Sequence, residues 1–217
     1  MKILLLLLLF GAIAGFVVWL IIASNKGSTN GSPPGPGPYP NPSPNPQPNS
    51  AVAQAFLNQH NKYRTLNGVN TLTWNDNLAS WAQKWGDYIS QNCEMRHPEN
   101  QQEADTYLDN DNWGQNLAEY QGNPGSPSAA VDGWMNECTI YNPANPLVGT
   151  HSINGNNETG HMTQLLWRGS TEVGCAVSTC PDGSKMYTCN YNPAGNIVDD
   201  TFSYFKANVP NPVKCPF

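Results

Sequence analysis

The chain has 217 residues, ten lysines and arginines against sixteen aspartates and glutamates, and a formal net charge of −6 at pH 7. Its basic residues are few and scattered, with no stripe to neutralise phosphates, which argues against a nucleic-acid-binding protein. Six cysteines behind an apolar N-terminal run point instead to export and disulfide bonding.

Ile3 to Ala23 is almost uninterrupted apolar sequence between Lys2 and Lys26. A run of roughly 20 residues can span a bilayer, while Ala23 and Ser24 offer small residues for cleavage. Residues 1–26 are therefore a signal peptide or a signal anchor. Either one places the rest of the chain outside the cell, secreted or membrane-anchored, and the chain meets a membrane only through this segment if it is uncut. Residues 27–50 repeat proline at every second or third position with little to bury, the composition of an extended stalk. Asn30, in Asn-Gly-Ser, is a glycosylation candidate.

Residues 51–217 have the length of one domain, and all six cysteines fall there. Ser50 caps a first helix with Val52, Phe56, His60 and Tyr63 on one face; Asn67-Gly68 ends it. A second helix starts near Asn75 or Asp76, carries Leu78, Ala82, Trp85 and Ile89, and ends near Cys93. His97 to Asn112 reads as a polar surface loop. Ser126-Pro127 is a helix start, followed by Val131, Trp134, Cys138 and Tyr141 at helical period. Asn157, in Asn-Glu-Thr, is a second glycosylation candidate. Thr159 caps a short helix whose buried face is Met162, Leu165 and Leu166, with His161 at its border. The period then changes to alternation at Val173, Cys175 and Val177, with a turn at Pro181-Asp182-Gly183 and a returning strand over Lys185–Tyr191. Helices followed by strands predict an α+β domain with helices over a small antiparallel sheet.

Six cysteines allow 15 pairings. Cys180 and Cys189 bracket the hairpin and are expected to pair; Cys93–Cys175 would pin the second helix to the sheet, leaving Cys138–Cys215. The tryptophans at 74, 81, 85, 113, 134 and 167 read as core. His60 reads as structural, and His151 has no partner in view.

"GHMTQLLWRGS" (160–170) and "YTCNYNPAGNIV" (187–198) resemble the two signatures of the CAP superfamily: cysteine-rich secretory proteins, antigen 5 and plant pathogenesis-related 1 proteins, sharing the SCP domain. "HNKYR" (60–64), "LTWNDNLASWAQKWGDY" (72–88), "NCEMRH" (92–97), "WGQNLAE" (113–119) and "DGWMNE" (132–137) follow in family order. The resemblance implies a disulfide-stabilised three-layer α-β-α sandwich with an open cavity lined by two histidines and two glutamates. By position these are His97, His161 and Glu137, with Gln115 standing where the family has its other glutamate. Glu119 would compensate if its segment were helical.

Two neutral imidazoles converging on one point can hold zinc or another divalent ion, oriented by oxygens on their second nitrogens. Gln115 can still accept a hydrogen bond but supplies no charge. The resemblance implies a binding protein, with sterol or another lipid as candidate partner, acting in defence or in contact with a host or environment. One alternative is a metal-assisted hydrolase or protease with Glu137 as general base, against which the missing third protein ligand counts. Another is a structural wall or adhesive component, for which the stalk speaks. The chain stops soon after the last signature, so the cysteine-rich C-terminal module of channel-blocking relatives is not expected.

Overall fold

The computed structural model describes residues 50–107, 113–121, 125–146 and 159–217. The targeting segment, the stalk up to residue 49, Asn30, Asn157 and His151 lie outside the described residues. No helix among the described residues is long and apolar enough to cross a membrane.

Helix α1 (Ala51–Leu66) starts where Ser50 predicts, its hydroxyl accepting from the Ala53 N–H at 3.1 Å. Its buried stripe is Ala53, Phe56, Leu57, His60, Tyr63 and Arg64, while Val52 is 45% exposed. Strand β1 (Thr73–Trp74) leads into α2 (Asp76–Ser90), capped by the Asn75 side chain. The segment expected to be a loop contains α3 (Gln101–Tyr107), and Gly114–Tyr120 forms strand β2. Helix α4 (Pro127–Asn136) begins at the Ser126 cap with proline in its first turn and ends in a single 3-10 turn, Glu137–Thr139. Helix α5 (Gly160–Leu165) precedes the hairpin β3 (Glu172–Thr179) and β4 (Lys185–Asn192), and α6 (Ser203–Asn208) follows.

The strands lie in the order β1-β3-β4-β2. The hairpin is antiparallel as expected; β2, not foreseen as a strand, pairs antiparallel with β4, and β1 runs parallel to β3, so the sheet is mixed. Helix α2 covers one face, where Trp85 and Ile89 pack with Leu117 and Met186. On the other face Phe56, Leu57, Trp134, Leu165 and Tyr191 join α1, α4 and α5 in the main core. This is the three-layer α+β sandwich. Gly174 decides how closely α2 can approach: a Cβ there would fall on the backbone of Asn75 and Ala79.

The cysteine pairing departs from expectation in two of three bonds. Cys175 bonds Cys189 and Cys138 bonds Cys215. Register is the reason. Cys175 lies directly opposite Cys189, whereas Cys180, at the turn, faces Ser184, whose carbonyl accepts its N–H at 2.9 Å. Cys189 is therefore five residues up the strand from the position opposite Cys180. Cys93, which could not then reach Cys175, lies beside Cys180 instead: their sulfurs and an Asp182 carboxylate oxygen are all within 4.8 Å of one another. Burial pushes the Cys180 thiol up to about 11, so it stays protonated until oxidised. Peptide mapping of protein exported through an oxidising compartment is expected to return Cys93–Cys180 as a third bridge. Recovery of both as free thiols would refute that.

Candidate functional site

Strand β2 is an edge strand, and consecutive residues on it point to opposite faces. Gln115 turns toward the α2 face and Asn116 toward α5. Each leads to one of the expected histidines, Gln115 to the side chain of His97 and Asn116 to the carbonyl of His161.

On the first side, His97 Nδ1 lies 2.8 Å from Gln115 Oε1. The backbone around His97 is braced by its neighbours. Trp85 Nε1–H donates to the Arg96 carbonyl at 3.0 Å, and Arg96 makes a two-pronged ion pair with Glu103, both contacts at 2.8 Å. The Arg96 guanidinium also lies over the Trp85 and Tyr88 rings. That pairing holds the Glu103 carboxyl down to about 2 and raises Arg96.

On the second side, His161 sits in the first turn of α5. Its Nδ1 lies 2.6 Å from Glu137 Oε1, while Glu137 Oε2 accepts the Met162 N–H at 2.9 Å. Glu137 thus caps α5 from another element. Thr159 makes no side-chain cap, its hydroxyl donating to the Pro146 carbonyl instead. The Trp134 indole stacks along the His161 ring, centroids 6.2 Å apart, and is itself fixed by donating to the Leu117 carbonyl. Asn116 Nδ2 donates to the His161 carbonyl.

His97 and His161 are each 8% exposed, so solvent reaches both. Burial holds His97 down to about 4, opposed by the Gln115 hydrogen bond and reinforced by the charge His161 would carry. His97 is therefore neutral at pH 7, as a metal ligand must be. Of the foreseen residues, His97 contacts Gln115 and His161 contacts Glu137. Glu119 does not join them: in a strand, four residues from Gln115 is about 13 Å, and Gln121 occupies it.

His60 is structural. Its Nδ1 donates to the Phe56 carbonyl, and its Nε2 receives the Tyr191 hydroxyl at 2.7 Å. Tyr191 in turn accepts from Asn116. Asn116, Trp134 and Asn190, which hydrogen-bonds Gln115, were not foreseen as site residues. Alternation along 114–120 would have flagged Asn116 had that segment been read as a strand.

Trp85, Trp134 and Trp167 are core, as expected, but Trp74, Trp81 and Trp113 are half-buried. Trp81 faces Trp113 with Lys84 over its ring at 3.6 Å. Away from the histidines, Val52, Trp74, Ala79, Ala176 and Val177 help line an open groove of about 530 Å³ between the start of α1, α2 and β3. Among the described residues the one cluster of three potential metal-ligating groups is Cys93, Cys180 and Asp182; His97, His161 and Glu137 do not form such a cluster.

The cysteine-rich secretory protein family profile, CAP, matches residues 57–191. Pathogenesis-related protein 1A of Nicotiana tabacum is 33% identical over 143 residues, 66% of this chain and 76% of that protein. The STS14 protein of Solanum tuberosum is 36% identical over 154 residues, covering 70% of this chain and 65% of its own length. Among solved structures, Na-ASP-1 aligns over 83% of this chain and 46% of its own with a TM-score of 0.55 and 21% identity. NaASP2 with Zn2+ aligns over 73% and 87% with a TM-score of 0.51 and 18% identity. Those structures bear on the fold alone. With the family profile running from α1 to the end of β4, over residues that carry both cavity histidines, the chain belongs to the cysteine-rich secretory protein family, CAP.

Proposed function

We propose that this is an exported or surface-tethered binding protein whose His97–His161 cavity holds a divalent ion of the zinc type, with a sterol or other lipid as a second ligand, acting in defence or in contact with a host or environment. The observation that carries the metal reading is that both imidazoles have Nδ1 committed to an oxygen, of Gln115 and of Glu137. That arrangement presents Nε2 as the ligating atom and is the usual way a protein orients metal-binding histidines. The donor set fits a borderline-soft divalent ion with open positions for water. A bound ion would supply Lewis acidity and a fixed positive charge; the chain's residues orient the imidazoles and offset that charge. NaASP2, which shares the fold, was itself solved with Zn2+. The groove beside Trp74 supports the lipid part, as a surface away from the histidines whose lining is mostly apolar, with Ser50, Asp76, Ser80 and Gln83 also on it.

Binding is preferred to hydrolysis because both oxygens of Glu137 already accept hydrogen bonds, from His161 and from the Met162 N–H. Glu137 is therefore an orienting group more than a proton acceptor. The test is zinc titration by calorimetry. The wild-type protein is expected to bind in the micromolar range, the His97→Ala/His161→Ala protein not at all, and Glu137→Gln about 10–100-fold more weakly. Equal heats from wild type and the double variant would end the reading.

A further inference from the structure

We propose that Asn190 is a positioning residue of the cavity: through Gln115 it holds His97 in the Nδ1–H tautomer, with the lone pair on Nε2. The inference rests on the reading of His97 as a ligand and adds a residue, and a polarity, to that site.

The argument starts from a group whose role is unambiguous. The Leu78 carbonyl can only accept, and Asn190 Nδ2 donates to it at 3.3 Å. The other branch of the Asn190 amide is then Oδ1, which accepts from Gln115 Nε2 at 3.0 Å. That leaves Gln115 Oε1 as the atom 2.8 Å from His97 Nδ1. An amide oxygen cannot donate, so Nδ1 must carry the proton and Nε2 the lone pair. Each amide passes the polarity on because its two ends differ. A backbone carbonyl on α2 thereby dictates the tautomer of a histidine beyond the end of that helix.

The fold supplies the geometry. Asn190 is fully buried on β4, directly opposite Gln115 on β2 and Gly174 on β3. Gly174 has no side chain to hold off the first turn of α2, whose Leu78 backbone approaches the sheet there. That close approach brings the anchoring carbonyl within reach of Asn190.

The relay also explains why an amide suits position 115. A carboxylate would still accept from His97, but it would turn an oxygen toward Asn190 Oδ1, and Asn190 could not rotate to donate without losing Leu78. Gln115 and Asn190 are a matched pair. Orientation of His97 is kept, and only the charge of the family's glutamate is given up.

The test is the 15N signature of the His97 ring in metal-free full-length protein at pH 7, from long-range proton–nitrogen correlation. The expected wild-type pattern is a protonated, pyrrole-type Nδ1 and a lone-pair, pyridine-type Nε2. Asn190→Ala frees the Gln115 amide to turn and is expected to give a mixture of tautomers. Gln115→Leu, at a less buried position, is expected to revert toward the Nε2–H form that histidine favours in water, and it carries the test if Asn190→Ala does not fold. A wild-type ring protonated on Nε2, or the wild-type pattern surviving in Gln115→Leu, overturns the proposal. Zinc titration separates the two levels of inference. A relay behaving as expected in a protein that binds no zinc supports the relay and sinks the metal reading. A protein that binds zinc with His97 protonated on Nε2 in its metal-free form sinks the relay alone. If both stand, Asn190→Ala is expected to bind zinc at least about tenfold more weakly.

Discussion

Replacing Arg64 by alanine is expected to destabilise the folded protein by about 4 kcal/mol, the range for breaking a buried hydrogen-bond network and leaving a cavity. Arg64 is fully buried on α1, and the four groups its guanidinium hydrogen-bonds are all backbone carbonyls. Its guanidinium is satisfied by backbone alone. Nη1 donates to the carbonyls of Leu165 and Trp167, Nη2 to that of Ser170, each at 2.9 Å, and Nε to Asn70 at 2.6 Å. Burial lowers its pKa to about 9, so it remains charged at neutral pH. The Leu165 carbonyl closes the end of α5, where helical carbonyls lack intrahelical donors. Arg64 thus ties the first helix to the segment carrying His161.

Alanine would leave three buried carbonyls and that of exposed Asn70 without this partner, and a void the size of the side chain. At roughly 2–4 °C per kcal/mol for a domain of this size, the melting midpoint should fall by about 10 °C. Lysine keeps the charge but presents three donors from one point and cannot reproduce the planar fork, so it should recover part of the loss. A thermal melt of Arg64→Ala within 2 °C of wild type, on the order of 1 kcal/mol by the same scale, would refute this account.

Acid is expected to weaken the fold through His60 before most carboxylates titrate. Burial, reinforced by the charge on Arg64 and opposed by the hydrogen bond to Phe56, lowers His60 from 6.5 to about 4. The unfolded chain therefore binds a proton that the folded state refuses. Stability from this group is fully present above pH 6.5 and is lost as pH falls toward 4, by roughly 3 kcal/mol in total. In metal-free protein His97, also near 4, acts with the same sign. Urea unfolding at pH 7.5 and at pH 5 reads the difference, which should be about 2 kcal/mol for each histidine. In His60→Gln the pH slope should fall by one proton, whatever the variant's stability at neutral pH. A slope unchanged in that variant would show that His60 does not titrate with folding.

The contrast between these groups shows what was legible before the fold was known. The caps at Ser50, Asn75 and Ser126 and the hairpin turn after Cys180 were readable because each is decided within a few residues. The spaced motifs made the family readable as well, and with it the pairs His97–Gln115 and Glu137–His161. Thr159 marks the limit of such local reading, since Glu137, 25 residues from the N–H it accepts, does the capping.

What the sequence by itself determined was therefore the helix starts, the alternating hairpin and the types of residue at the site. Tertiary structure alone decided which sulfurs meet, because a bond between Cys175 and Cys189 depends on strand register rather than on their nearness to the turn. It alone made Gly114–Tyr120 an edge strand, sending Gln115 and Asn116 to opposite layers and leaving Glu119 out of reach. It alone aligned the Leu78 carbonyl, Asn190, Gln115 and His97. Local signals arise from interactions a few residues long. Pairings across the sheet depend on how whole layers settle against each other, and no short stretch of chain records that.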